Sequence, residues 1–579
     1  MQNVFRRAAL WRAAPWASDA VRAGAVRIAL AVLTVATMPV SARAAAAVTA
    51  AQPAVTALEL QSANEELQRR LQAAEQRIKE LERQLERQGV PAAPRASVST
   101  GTSAVPAAPA QPPRMPAPAA SPTRTPGDVA QGAGFPPPTK QQEKEERKQE
   151  RYAPLEAIEE KLPSWFPKVL GAQWTIINQK QFPFHSPYSG LNSLNQRGED
   201  KTSQTRAVYL GSQATENLQL YLDLEWFVGN GLHGGNGLGG YSNGDVVRAG
   251  SANLPKDPYV ARAYGRYLIP LSTDTAQVIR AQDQLPGHEP TEYLFAKAGH
   301  FAVTDDFDTN RYANSVRTQF MNYGLINNGA FDYAADTRGY TNGVTLGWVN
   351  PTWTFKVGSF QEPKQANGEP LDFQLGRAQG SQAELSVKPF ANDTVLRFLA
   401  YANQARMGRY RTAVQVAQLT GSTPSVAADD RAGRWKYGFG LNGEIPLADD
   451  GDTGLFFRAG WNDGATETWA FTEIDRSVSF GGQLDGSHWG RDDDWFAVGM
   501  VINGLSSAHK DYIADGGAGF MIGDGRLRYA PETIVETYYN FKLNDYFRLS
   551  PDYQYIRNPG YNADRGPVHI VSTRFRAAF

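Results

Sequence analysis

Between residues 305 and 338 the chain gathers polar groups that could hold or transform a small hydrophilic molecule: Asp305, Asp306, Asp308, Arg317, Asn322, Asp332, Asp336 and Arg338. Carboxylates and guanidinium groups at this density can pair with one another, or accept from and donate to a ligand's hydroxyls on both sides. Catalysis asks for tighter arrangements, and the sequence offers none. The seven histidines show no HExxH-type spacing, and Ser487 and His488 would point to opposite faces of a strand. There is no cysteine, so thiolate chemistry, disulfides and Cys-ligated metal are absent. Asp306-x-Asp308-x-Asn310 opens like a calcium loop, but Arg311 stands where the turn needs Gly and Arg317 where it needs Glu. The run Gly229 to Gly244 lacks the Lys-Ser/Thr of a phosphate loop and reads as a flexible outer loop. Neither enzyme, cofactor nor metal is expected.

What positions such a segment is an alternating framework. Leu218, Leu220, Leu222, Leu224, Trp226 and Val228 share one parity, and Gln219, Tyr221, Asp223 and Glu225 the other. Trp435, Tyr437, Phe439 and Leu441 oppose Arg434, Lys436, Asn442 and Glu444; Leu455, Phe457, Ala459 and Trp461 oppose Arg458 and Asn462. Strand side chains alternate between faces, so each segment carries one apolar and one polar face. A soluble sheet needs a second layer over its apolar face, whereas a closed sheet in lipid needs none. About sixteen such segments can be placed: 171–182, 204–213, 217–228, 259–269, 292–301, 341–349, 353–360, 381–389, 394–403, 434–444, 454–462, 470–484, 494–503, 533–543, 546–556 and 568–579. The fold class is therefore all-β, a transmembrane antiparallel barrel. Parity assigns Asp223, Glu225, Arg262, Arg266, Lys297, Lys356, Arg434, Lys436, Arg458, Arg574 and Arg576 to the lumen. The last segment ends on Phe579 and resembles the closing strand of bacterial outer-membrane barrels, which assembly machinery reads.

Composition agrees. Mean hydropathy is −0.44, and 12 Trp, 24 Tyr and 27 Phe suit interfacial girdles. With 58 basic and 59 acidic residues, bulk charge argues against a nucleic-acid partner. Five arginines precede the apolar stretch Ile28–Ala36, and Ala42-Arg43-Ala44 offers a cleavage site, so residues 1–44 read as a signal peptide. Residues 45–90 carry heptads with Ala57, Asn64, Leu71, Ile78 and Leu85 at a and Leu60, Leu67, Ala74 and Leu81 at d, an α-helical coiled coil. A Pro/Ala-rich spacer covers 91–140 and a charged helical segment 141–164, leaving 165–579 for the barrel.

Loop lengths orient the barrel. The connections 183–203, 229–258, 302–340, 361–380, 404–433 and 504–532 belong outside, and the turns at 214–216, 350–352, 390–393 and 544–545 in the periplasm. The connection 270–291 is too long for its side.

The motifs of the third outer loop, Asp305-Asp306-Phe307-Asp308-Thr309-Asn310-Arg311-Tyr312, Arg317-Thr318-Gln319-Phe320 and Gly329 to Tyr340, carry a resemblance together with Gly299-His300-Phe301 and Pro551 to Gly560. They resemble the OprB family of carbohydrate-selective porins, over about 165 to 579. Tyr323 and Phe331 stand where the resemblance leads one to expect tryptophan. It implies an outer-membrane channel passing small carbohydrates, a third loop folded into the lumen, and selectivity by pore width and lining groups. A homotrimer is expected, with periplasmic contact to peptidoglycan through the N-terminal extension. Two other readings stay open at this point: a phosphate-type anion channel, because basic residues outnumber acidic ones on the inferred lumen face, and a structural barrel tethering envelope layers.

Overall fold

The structure, a computed structural model, describes residues 168–247, 254, 257–390 and 392–579. The signal peptide, coiled coil, spacer and charged helical segment all lie outside the described residues.

Each of the sixteen alternating segments contains a strand, though not always over the whole of its length. In chain order the strands are β1 (Val169–Gln181), β2 (Glu199–Thr215), β3 (Leu218–Gly229), β4 (Tyr259–Pro270), β5 (Thr275–Val278), β6 (Gly287–Pro290), β7 (Tyr293–Phe301), β8 (Thr341–Val349) and β9 (Trp353–Gln361). They continue as β10 (Gln379–Val387), β11 (Val395–Met407), β12 (Arg431–Ala448), β13 (Thr453–Asn462), β14 (Arg476–Asp485), β15 (Trp495–Gly504), β16 (Glu532–Lys542), β17 (Phe547–Arg557) and β18 (Val568–Ala578). All but β5 and β6 form one closed antiparallel barrel of sixteen strands, each paired with its neighbour in sequence and β18 with β1. At the seam Ala172 and Phe579 exchange backbone hydrogen bonds of 2.8 and 3.0 Å. Closure leaves no sheet edge, the condition for crossing lipid with strands.

The two faces follow the parity. Leu220, Phe355, Phe398, Trp435, Phe439, Phe480 and Val498 point outward and are exposed. Asp223, Glu225, Lys436, Arg458, Glu536 and Arg574 are buried within. One register shift matters for function: Asp223 pairs with Arg262 but Leu224 with Val260, which leaves Ala261 as the extra residue of a β-bulge. Such bulges re-aim neighbouring side chains, here beside Arg262.

The barrel interior is largely filled. The third long loop, L3 (302–340), folds inward and buries Phe307, Tyr312, Phe320, Leu325 and Phe331. Phe320 meets Phe456 and Tyr538 of the wall at ring-centroid distances of 5.5 and 5.1 Å. Its α-helical turn, α1 (Tyr323–Ile326), is capped by Asn322, whose side chain accepts from Gly324 N at 3.0 Å. Two further helices, α2 (Tyr410–Thr420) and α3 (Ser507–Ala514), lie in other long loops.

Two expectations need correction, and one open question is answered. The segment 470–484 is strand only from Arg476; Ala470 and Ile474 are buried against L3, and Trp469 just before them packs on Ala405 and Met407, so these side chains fill the interior rather than face lipid. The glycine-rich stretch is no flexible loop: Leu232, Leu238 and Tyr241 are buried, and Gly237 N donates to Met521 O at 2.8 Å. Its glycines serve close approach. Gly237 has φ +95°, and a Cβ there would sit 2.4 Å from Leu194 N. Finally, the over-long connection between β4 and β7 contains the hairpin β5–β6.

Candidate functional site

L3 does not fill the lumen evenly. One set of polar wall residues is spent holding it. Arg458 reaches Asp308 at 3.1 Å and also donates to the carbonyls of Leu325 and Ala313. Asn442 donates to the Asp308 carboxylate at 2.8 Å. Lys436 pairs with Asp332 at 2.9 Å, both fully buried, while Asp332 accepts from Trp469 N and Ala470 N. Glu536 accepts from the backbone N–H groups of Met321 and Asn322, and Arg574 donates to the carbonyls of Val316 and Gln319. Lys356 donates to Asp306 O and pairs with Glu384 at 2.9 Å. Arg434 is paired with Asp429 at 2.7 Å, towards the long-loop end. Asp336 accepts from Arg338 N and Tyr340 N and so ties a turn. Arg576 lies low on β18, opposite Thr175 and Arg548 in register.

The remaining predicted residues surround open space. A cavity of about 730 Å³ runs between L3 and the wall formed by β3, β4 and β7. Arg262 is its hub. Its Nε and Nη2 donate to the two oxygens of Asp305 at 2.8 and 2.7 Å, Nη1 reaches Asp223 at 3.1 Å, and Nε lies 3.6 Å from Asp283. Burial alone would raise the Asp305 pKa, but the fork of Arg262 overrides it and holds the carboxyl below its ordinary range. Lys297 sits 3.2 Å from Asp306 and over the rings of Tyr264 and Phe301, at 4.3 and 4.1 Å. Arg317 bridges Glu225 at 2.7 Å and Asp245 at 2.9 Å, and Tyr340 Oη donates to Glu225 at 2.7 Å. Arg338 lies 4.4 Å over the Tyr259 ring, and Arg266 pairs with Glu289 at 2.6 Å. Of the predicted residues, the structure thus brings Glu225, Arg262, Arg266, Lys297, Asp305, Asp306, Arg317 and Arg338 to the cavity, with Asp223 bonded to its hub.

Sequence reasoning missed Asp245, Asp283 and Glu289, and the aromatics Tyr259, Tyr264, Tyr293 and Tyr340 beside them. Strand parity would have found Tyr264. For Asp283 and Glu289 the signal was the unexplained length of their connection.

In sequence, residues 213–579 match the model of the carbohydrate-selective porin family OprB. The chain belongs to the OprB family of carbohydrate-selective porins. No curated protein matches it significantly. Among solved structures the porin is similar to the high-pH structure of OprB from Pseudomonas putida, at 14% identity over 71% of this chain and 94% of that one, with a TM-score of 0.54. It also matches the channel DcaP of Acinetobacter baumannii, at 9% identity over 71% and 96% of the two chains with a TM-score of 0.40. OmpT of Vibrio cholerae matches at 11% identity over 71% and 97%, with a TM-score of 0.36. The porin is thus an outer-membrane barrel for sugar diffusion, in a family of channels rather than enzymes.

Proposed function

We propose that the cavity between L3 and the β3–β4–β7 wall is the constriction through which a neutral sugar passes, and that Glu225, Arg262, Lys297, Asp305 and Arg317 are its hydrogen-bonding rungs. The observation that carries this is the make-up of the lining. Five cations (Arg262, Arg266, Lys297, Arg317, Arg338) face six carboxylates (Glu225, Asp245, Asp283, Glu289, Asp305, Asp306), with tyrosine rings between them. A sugar presents hydroxyls that donate and accept, and apolar C–H faces; ion-paired groups serve the first and aromatic faces the second. Since acidic groups match basic ones here, the lining does not favour an anion ladder. The volume lies within the range of small-molecule sites, about 300–1,000 Å³.

Diffusion needs no energy input, only that each rung bind weakly and hand over to the next. The paired charges meet that need, because every cation already has a carboxylate and neither holds a neutral solute tightly. The N-terminal extension belongs, on this reading, to the periplasm, where its heptads would support trimerisation and contact with peptidoglycan.

Deleting 305–338 tests the assignment. In a barrel that still shows heat-modifiable mobility, single-channel conductance rises and sugars block the ion current less. Unchanged conductance would place the passage elsewhere.

A further inference from the structure

The connection between β4 and β7 stands at the short-turn end, where the other links are tight, as at 350–352 between β8 and β9. It does not project away from the barrel. Its strands pair from Thr275–Pro290 to Val278–Gly287, and its tip climbs inside the lumen. Asp283, at the tip with φ +54°, lies 3.6 Å from Arg262, eight residues up β4 from Pro270, or roughly 25 Å of strand at ~3.3 Å per residue.

The tip is anchored at several points. Leu285 is buried in the lumen core, and its N–H donates to Tyr221 Oη at 3.3 Å. Gln282 donates to Asp223 at 3.4 Å, and Arg280 to Leu170 O, on β1, at 2.8 Å. Lower down, Glu289 is paired with Arg266. Arg262 therefore takes Asp305 from L3 and Asp283 from the hairpin: two elements entering from opposite ends meet on one guanidinium.

We propose that residues 271–292 form a second constriction element, a floor to the passage that L3 roofs, and that Asp283 positions Arg262 between the two. A solute leaving Arg262 has to pass the hairpin before it reaches the short-turn end. The width that sorts solutes by size is then set jointly by L3 and by this connection. The inference rests on the lumen being the passage, not on what the passage carries.

The test replaces 273–290 with Asn-Gly, a two-residue turn suited to antiparallel strands. In a heat-modifiable barrel, the single-channel conductance in KCl should rise at least twofold, and liposome swelling should show disaccharides gaining on monosaccharides. Conductance and sugar ratio both unchanged in the folded barrel would overturn the proposal. Should the replacement fail to assemble, Asp283→Cys decides. The chain has no other cysteine, so a bulky thiol reagent attaches there alone. A fall in conductance on labelling supports the floor, and full conductance in labelled protein overturns it. If wild type conducts ions but admits no sugar, the sugar reading falls while the KCl measurement still judges the hairpin.

Discussion

Arg262 shows how much one side chain at the edge of the lumen cavity can organise. It sits within 4 Å of Asp223, Asp283 and Asp305, so its removal leaves three carboxylates sharing the space. Arg262→Ala should move the reversal potential in a KCl gradient towards cation preference, and an unmoved potential would mean that ions take another route. Lys436 and Asp332 illustrate the opposite case, a pair with no water to share. Breaking a buried pair strands one charge and costs ~3–5 kcal/mol, whereas replacing both partners costs far less. Lys436→Met should accordingly lower the temperature at which the folded band converts in heat-modifiable electrophoresis, and Lys436→Met with Asp332→Asn should recover part of the loss. Equal losses in the single and double variants would show that the ion pair is not what matters there. Single residues could be assigned to the lumen from sequence, but not sorted between pathway and clamp. Asp305 and Asp308 are three positions apart in one loop, yet the first faces the cavity and the second is locked under Arg458.

At the scale of the element, β3 carries the logic of the wall. Leu222 faces outward and Asp223 inward, one residue apart near mid-strand. Arginine on the lipid face at mid-membrane costs ~2–4 kcal/mol, so Leu222→Arg should impair assembly in the outer membrane. Asp223→Asn should leave assembly alone and change conductance, because it loses only a charge on Arg262. Exchanged effects would reverse the facing of the strand. L3 is an element of another kind, with regular structure only at a 3-10 turn (Val303–Asp305) and α1, and held by the wall residues Arg458, Asn442, Glu536 and Arg574. Its density of Asp, Asn and Arg marked it as functional, because such a loop cannot be buried without partners to satisfy it. Those partners sit on β12, β13, β16 and β18, far away in sequence, and no local pattern pointed to them.

For the whole molecule, the barrel should be self-sufficient. Sixteen strands pair among themselves within the described residues and close on themselves, so the ladder draws its partners from the barrel alone. A chain with a signal peptide joined directly to 165–579 should insert, conduct and pass sugar as the full-length protein does, measured in planar bilayers and by liposome swelling. Failure to insert would make the N-terminal extension part of barrel formation rather than an addition to it.

The strands were legible because a barrel wall in lipid imposes a period of two on every segment, and Leu218 to Gly229 or Val568 to Phe579 satisfy it without help from the rest of the chain. That L3 matters was legible from its length and chemistry, and its inward fold was what the resemblance of its motifs implied. What only the tertiary structure decided is where the passage lies. That depends on which wall L3 packs against, on the bulge beside Arg262, and on a hairpin whose tip reaches the same guanidinium from the other end. These are contacts between segments distant in sequence, selected by how apolar surfaces such as Phe320 and Trp469 fill the lumen once the wall has closed. Periodicity is a property of one strand, whereas the open space is what remains after all the loops have been packed.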